Sequence, residues 1–155
     1  MKNLTYLLIF IFLSSCGYTS IYQIDQKLNI KLDEIKYSGD KKINRQIATG
    51  LKKYEDNKTN NIFDLIINSD KKESTVTKDK KGNATSYKLT LSVNLDLNSN
   101  SSNKTFTKKF IKDMSFNSRS NKFELNQYRR ELEKNMISQI LQDIDIFLRN
   151  IKNDL

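Results

Sequence analysis

The 155-residue sequence contains no histidine, no proline and no tryptophan, and it has a single cysteine, Cys16. Without histidine, neither a histidine-containing catalytic triad nor a Cys/His metal cluster can form within the chain, and one cysteine cannot form an internal disulfide. The lack of proline excludes collagen-like sequences and proline-rich linkers. At this length, with 37% hydrophobic and 29% charged residues, the composition is that of one small globular domain.

The first fifteen residues have the pattern of a secretory signal peptide. Lys2 supplies a positive charge, a mostly apolar run over residues 4–13 follows, and two serines precede Cys16. This run falls well short of the roughly 20 residues that a helix needs to cross a bilayer. We therefore predict a signal peptide over residues 1–15, which directs the protein out of the cytoplasm and away from nucleic acid.

The residues around the cysteine resemble the bacterial lipobox, in which an apolar residue and two small residues precede a cysteine that receives a diacylglycerol thioether. Here the motif reads Leu13-Ser14-Ser15-Cys16. A lone buried or reactive thiol is the alternative interpretation. We predict that Cys16 is the lipid-attachment residue and that residues 16–26 form a lipidated tether. Glycine rather than aspartate follows the cysteine, which in such lipoproteins favours export to the outer membrane.

Residues 27–155 have the hydrophobic periodicity of a single α/β domain. Alternation over residues 28–33 predicts a first strand, and helical spacing over residues 41–55 predicts a helix capped by Asp40 and weakened by Gly50. Three strands follow, joined by a turn at residues 80–83 and an Asn/Ser loop at residues 98–103. A long helix begins at Asn121, with Glu124 as its capping-box partner.

The element order is therefore strand, helix, three strands, helix. It predicts an α+β, two-layer sandwich in which two helices pack on one face of a mostly antiparallel four-stranded sheet, with a polar opposite face. In the last strand, Lys108 and Lys112 fall on the same face as Phe106 and Phe110. This pattern implies either a β-bulge or an end of the strand that extends past the core.

The net charge of +9 has two interpretations, a functional basic surface or a composition biased towards Lys, Asn and Ile. Twelve Lys or Arg and four Asp or Glu lie between Lys71 and Lys122, so this segment carries a net charge of +8. Lysines act as point-charge partners for phosphate. The candidate anion-binding residues are Lys78, Lys80, Lys81, Lys104, Lys108, Lys109 and Lys112. We favour Lys108 and Lys112, because the apolar residues on their face could meet an acyl chain while the lysines meet a phosphate.

Three segments are similar to the lipopolysaccharide-assembly lipoprotein family (LptE). The lipobox is followed by Cys-Gly-Tyr at residues 16–18 and a nearby tyrosine, although the proline usual after the aromatic residue is absent. Residues 87–93, Tyr-Lys-Leu-Thr-Leu-Ser-Val, resemble the central strand of the family, and residues 126–140 resemble its last helix. The order of the elements also agrees, so the resemblance extends over nearly the whole mature chain.

The resemblance implies a lipid-anchored outer-membrane protein that occupies and assists the β-barrel through which lipopolysaccharide is inserted. The implied partners are that LptD-like barrel, lipopolysaccharide and the membrane, without nucleic acid, metal or cofactor. An auxiliary lipoprotein of a phospholipid transport system of the ABC/Mce type is the alternative. A lipid A or peptidoglycan hydrolase is a third hypothesis, but no nucleophile or carboxylate pair lies in a recognisable catalytic setting, so we expect no enzyme.

Overall fold

The computed structural model describes residues 30–151. The predicted signal peptide, the tether, Cys16 and the strand residue Leu28 lie outside these residues. The described part is an α+β fold with one mixed sheet of four strands in the order β1-β2-β3-β4 and two helices. The elements are β1 (Lys31–Gly39), α1 (Lys41–Leu51), β2 (Ile62–Lys78), β3 (Ala84–Ser99), β4 (Thr105–Asn117) and α2 (Lys122–Ile151). The predicted fold class and element order are confirmed.

Strand β1 pairs in parallel with β2 and extends further than its hydrophobic alternation predicts. Ile30 and Leu32 are buried as expected, but the register shifts between Leu32 and Ile35. The extra residue at this bulge returns Ile35 to the covered face of the sheet and interrupts the two-residue period. The predicted end of the strand near residue 33 is therefore wrong, and pairing continues to Gly39.

Helix α1 begins directly after β1, where Asp40 is the N-cap as predicted. The regular helix ends at Leu51, and a turn of 3-10 helix, Lys52–Tyr54, completes most of the predicted range. Gly50 stands where the long helix approaches most closely, since an added Cβ would lie 2.7 Å from Leu141 Cδ2. This glycine therefore permits close packing of α1 against α2. The Tyr54 hydroxyl then ties the end of this segment to α2 by donating a 2.7 Å hydrogen bond to Asp145.

Strands β2 and β3 form a long antiparallel hairpin. Its turn contains Gly82 at φ 84°, and Asp79 accepts backbone hydrogen bonds from Lys81 and Asn83, both at 2.8 Å. From Asp70 onwards every residue of β2 is exposed, although Lys71 and Glu73 still form ion pairs with Glu133 and Arg129 of α2. The predicted turn is confirmed, and the hairpin projects past the main core.

Strand β4 pairs with β3 in an unbroken antiparallel register from Ser86↔Asn117 to Asn98↔Thr105. Lys108 and Lys112 lie opposite Leu95 and Leu91, on the face of the sheet that the helices cover. The predicted bulge is therefore absent. Because β4 is the last strand of the described sheet, long side chains on its covered face reach solvent beside α2 rather than beyond the end of the strand.

Helix α2 has 30 residues and begins after Asn121, whose side chain accepts a 2.9 Å hydrogen bond from the Phe123 amide. Glu124 Oε1 in turn accepts from the Asn121 side-chain amide at 3.3 Å, which confirms the predicted pairing of these two residues. Helical spacing predicts a buried stripe of Leu125, Tyr128, Leu132, Met136, Ile140, Ile144, Phe147 and Ile151. In the structure Tyr128, Leu132 and Phe147 are only partly buried, whereas Glu133, Ile137 and Leu148 are buried.

The core lies between the sheet and the two helices, and its centre is the covered face of β3. That face consists of apolar residues of which none is more than 3% exposed, namely Leu89, Leu91, Val93, Leu95 and Leu97. The opposite face of the sheet is mostly polar, as predicted, apart from Ile66 and Ile111. Within residues 30–151, neither helix combines the length and the apolar character needed to cross a membrane.

The two glycines with positive φ provide a test of this geometry. Gly39 has φ 89°, and a Cβ built on it would lie 1.8 Å from the Ser69 carbonyl oxygen, whereas a Cβ on Gly82 would meet nothing within 4 Å. We expect Gly82→Ala to lower the free energy of unfolding by about 1 kcal/mol through backbone strain alone. Gly39→Ala should cost about 3 kcal/mol or more because the backbones must also separate. Urea unfolding of both variants measures these changes in the free energy of unfolding. Equal losses in the two variants would contradict the close approach of Gly39 to the Ser69 carbonyl.

Candidate functional site

The seven candidate lysines do not form one cluster. Lys78, Lys80 and Lys81 lie at the β2–β3 turn, and Lys104 lies at the β3–β4 loop. These two positions are at opposite ends of β3, whose 16 residues span about 50 Å at 3.3 Å per residue. The remaining three lie along β4. Their binding to an anionic ligand stays a prediction, but no single ligand headgroup can contact all seven.

The lysines of β4 border a groove between this strand and the second half of α2. We call this the edge groove; its volume is about 390 Å³ and its lining residues are Lys108, Lys109, Phe110, Ile111, Asp143, Ile146, Phe147 and Asn150. Phe110 and Phe147 meet edge to face with ring centroids 6.1 Å apart. Ile146 is more than half exposed beside them, and Ile111, on the opposite face of β4, is more than half exposed along the same strand edge. The groove thus has an apolar surface, with Lys108 on the same face of β4 and Lys109 on the other.

Lys112 lies on the same face but is already in an ion pair. Its Nζ is 2.7 Å from Asp143 Oδ2, which connects β4 to α2. No ion pair of Lys108 or Lys109 with a carboxylate occurs within residues 30–151. The two groove lysines are therefore better placed than Lys112 to contact a ligand, which revises the sequence-based preference for Lys108 and Lys112.

A second concave surface lies on the other side of α2, between its first half, α1 and β2. We call this the polar cleft; its volume is about 470 Å³ and its lining residues are Lys42, Lys71, Glu73, Leu89, Asn126, Arg129, Arg130 and Glu133. Four of the eight are cations and two are carboxylates. None of the seven candidate lysines lies in it.

Glu133 is the electrostatic centre of the polar cleft. Its side chain is 8% exposed, and its two oxygens face lysines from two different elements. Lys71 Nζ donates a 3.3 Å hydrogen bond to Oε2, while Lys42 Nζ lies 2.8 Å from Oε1 as an ion pair without hydrogen-bond geometry. A buried carboxylate left without these cations would be strongly destabilising, so Glu133 fixes the positions of both ammonium groups.

A smaller polar network continues from the cleft to the start of α1. The Ser69 hydroxyl donates to Asn44 Oδ1 at 2.7 Å, and Asn44 Nδ2 donates to the Ser38 carbonyl at 2.9 Å. Asp40 accepts from the amides of Lys42 and Ile43 at 2.9 and 3.0 Å. The pKa of Asp40 lies below its usual value, chiefly because its carboxylate accepts the hydrogen bond from the Ile43 amide. The Lys42 amide and the charges of Lys71 and Lys42 lower this pKa further.

Arg129 forms the opposite wall of the polar cleft. Its Nη2 donates a 2.7 Å hydrogen bond to Glu73 Oε1, and its guanidinium carbon lies 4.9 Å from the centroid of the Tyr87 ring. Tyr87 stacks on Phe116 at 5.4 Å. The guanidinium is therefore held by both a charge and an aromatic face, which fixes the direction of its remaining donors.

The polar cleft is not predicted by the sequence. Its cations come from α1, β2 and α2, up to 88 positions apart between Lys42 and Arg130, so no local motif joins them. The available signal is Glu133, a carboxylate that interrupts the apolar stripe between Leu132 and Met136. A charge in a buried stripe requires an oppositely charged partner from another element.

Residues 30–151 contain no cluster of three or more acidic or thiol side chains that could hold a metal ion. No protein-family model matches the chain, and no curated protein is similar to it in sequence. Solved structures with 11–15% sequence identity share its fold. Rare lipoprotein B from Shewanella oneidensis is 15% identical with a TM-score of 0.61, over 79% of this chain and 98% of that one.

Two further solved structures are similar. Lipoprotein B from Nitrosomonas europaea is 12% identical with a TM-score of 0.51, over 83% of this chain and 88% of that one. A minor lipoprotein from Acinetobacter baumannii is 15% identical with a TM-score of 0.50, over 82% of this chain and 94% of that one. The fold is that of small bacterial lipoproteins.

Asp40 provides a test of the network at the start of α1. Asp40→Ala should lower the free energy of unfolding by about 1 kcal/mol at neutral pH, because two amides lose their cap. Since the folded-state pKa lies below the usual value of 3.8, the advantage of the wild type is complete above that value. It should shrink as the pH falls further through the folded-state pKa. Urea unfolding at neutral and acidic pH measures this difference in free energy of unfolding, with Asp40→Asn as an uncharged cap for comparison. A difference between the wild type and Asp40→Ala that grows in acid would contradict the lowered pKa of Asp40.

Proposed function

We propose that this protein is a lipid-anchored outer-membrane lipoprotein that serves lipopolysaccharide assembly from within the lipopolysaccharide-inserting β-barrel. The observation that carries the proposal is the combination of a lipobox ending at Cys16 with a fold that covers 98% of rare lipoprotein B. The function is binding rather than catalysis. The similarity to the LptE family in residues 16–18, 87–93 and 126–140 supplies the specific pathway.

The surface of the sheet is suited to a polar environment such as the lumen of a large barrel. On the uncovered face of β3 and β4, Thr90 donates to Asp113 and Thr107 donates to Asp96, each at 2.6 Å. Thr105 donates to Asn98 at 2.9 Å. Such cross-strand pairs satisfy one another while leaving polar atoms directed outwards, so this face offers hydrogen bonds rather than an apolar surface to a partner.

An acyl anchor at Cys16 would attach the protein to the membrane, since no helix within residues 30–151 can span one. Acylation contributes about 0.8 kcal/mol per buried CH₂, so one chain binds marginally and several bind permanently. A cysteine at the start of a mature lipoprotein carries three acyl chains, and residues 16–26 then separate the anchor from the domain. The folded core and the anchor are distinct parts of the chain.

The decisive experiment isolates the protein with its partner from membranes of the native organism. We expect the detergent-extracted protein to co-purify at one to one with an outer-membrane barrel protein, with an intact mass that starts at Cys16 and includes its acyl chains. Cys16→Ala should yield an unanchored but folded protein. Co-purification with a phospholipid transporter, or normal barrel yield and lipopolysaccharide export after deletion of the gene, would refute the proposal.

We also propose that the edge groove contacts lipopolysaccharide itself. Phe110, Phe147 and Ile146 offer an apolar surface to an acyl chain. Lys108 and Lys109, on the two faces of the strand edge, offer ammonium groups to separate phosphates. This is a narrower version of the contact predicted from the sequence, since Lys112 is neutralised by Asp143. Lys78, Lys80 and Lys81 at the β2–β3 turn stay candidates for contacts with other anionic groups.

Charge reversal tests the groove. Lys108→Glu/Lys109→Glu should weaken binding of purified lipopolysaccharide at least tenfold at low salt, because two attractions become repulsions. Lys41→Glu on α1 combined with Lys52→Glu in the following 3-10 turn is the matched control with the same change in net charge. Lys53 is unsuitable because it pairs with Asp145 at 2.6 Å. If both double variants weaken binding equally, the effect is one of net charge and a site in the groove is excluded.

A further inference from the structure

The polar cleft has the composition of a binding site for which neither the resemblance nor the comparisons provide a ligand. It lies on the side of α2 that faces α1 and β2, whereas the edge groove faces β4. Its volume of about 470 Å³ is within the usual range of small-molecule sites, roughly 300–1,000 Å³. A molecule of the size of one or two sugar rings fits such a space.

The charges of the cleft do not cancel. Lys42, Lys71, Arg129 and Arg130 contribute four positive charges, and Glu73 and Glu133 contribute two negative charges, so the lining has a net charge of +2. Glu133 and Glu73 hold three of the four cations. Arg130 forms no ion pair with a carboxylate in the part of the chain that the structure describes. An anionic group is therefore attracted to the cleft, and Arg130 is the cation that it can take without displacing a carboxylate.

Three of the four cations are held in place before any ligand binds. Glu133 holds the two lysines from within a buried position, and Arg129 is fixed between Glu73 and the Tyr87 ring. Arg130 Nε donates to the Asn126 carbonyl at 3.3 Å, which anchors one side of its guanidinium and leaves its terminal nitrogens to other acceptors. Donors that are ordered in advance lower the entropic cost of binding.

The two carboxylates decide which kind of anion fits. Beside Glu73 and Glu133 a bare phosphate ion meets repulsion as well as attraction, whereas hydroxyl groups donate hydrogen bonds to carboxylate oxygens. The side chain of Asn126 adds an amide on the same wall, and Leu89 supplies the apolar part of the floor. The cleft thus combines donors for one anionic group with acceptors for hydroxyl groups.

We propose that the polar cleft binds a small polyhydroxylated anion, a sugar that carries a phosphate or a carboxylate. Arg130 and Arg129 bind the anionic group, and Glu73 accepts from the hydroxyl groups. The proposal is separate from the proposed role in lipopolysaccharide assembly, because it depends only on the geometry of this cleft and remains testable if no barrel partner is found.

Titration calorimetry of the full chain in detergent at low ionic strength tests the proposal. The probes are glucose-6-phosphate, glucuronate, neutral glucose and inorganic phosphate. We expect at least one of the two anionic sugars to bind at least tenfold more tightly than both glucose and phosphate. Failure of both anionic sugars to bind would overturn the proposal, and phosphate binding as tightly as the sugars would reduce the cleft to a nonspecific anion site and overturn it as well.

Variants then locate the site. Arg130→Gln should weaken binding of the anionic sugar about tenfold, because a charge-assisted contact to the anion is lost from an exposed side chain with no structural ion pair. Arg45→Gln, which removes the same charge from an exposed position on α1 outside the cleft, should leave binding unchanged. If Arg130→Gln binds the anionic sugar with unchanged affinity, the ligand lies elsewhere and the assignment is overturned. An equal loss of affinity in both variants, with unaltered thermal unfolding, would overturn it as well.

Discussion

The burial of one face of β3 is the constraint on which the rest of this structure depends. Five apolar side chains alternate along that face, and each contributes about 2 kcal/mol when it is removed from water. Their sum is comparable with the whole net stability of a small domain. A slip of one residue between β3 and a neighbouring strand would turn the apolar faces of the two strands to opposite sides of the sheet, so burial of this face also constrains the registers of β2 and β4.

The features that the sequence predicts are those determined by local periodicity or by a cap. The alternation of β3, the turn at Gly82, the Asp40 cap and the start of α2 at Asn121 all depend on residues within a few positions of one another. The continuation of β1 was missed because the bulge after Leu32 breaks the period used to recognise a strand. The Lys112–Asp143 pair could not be foreseen either, since it joins a strand to a helix 31 positions away.

The distribution of charge shows why net charge alone does not identify a site. The segment from Lys71 to Lys122 carries a net charge of +8, yet antiparallel strands send its lysines to both faces and both ends of the sheet. The most organised group of cations instead combines residues from α1, β2 and α2 around Glu133. A buried acid specifies the position of its cations, whereas a run of lysines in a strand only raises the local potential.

The outer edge of β4 has a consequence for how the domain behaves at high concentration. An unpaired strand edge is a template for addition of a further strand, and proteins commonly protect it with charge. Along β4, Lys108 and Lys109 lie on opposite faces, and neither forms an ion pair with a carboxylate within residues 30–151. Two copies that met edge to edge would bring like charges together above and below the new ladder. The charges of this edge therefore discourage self-association.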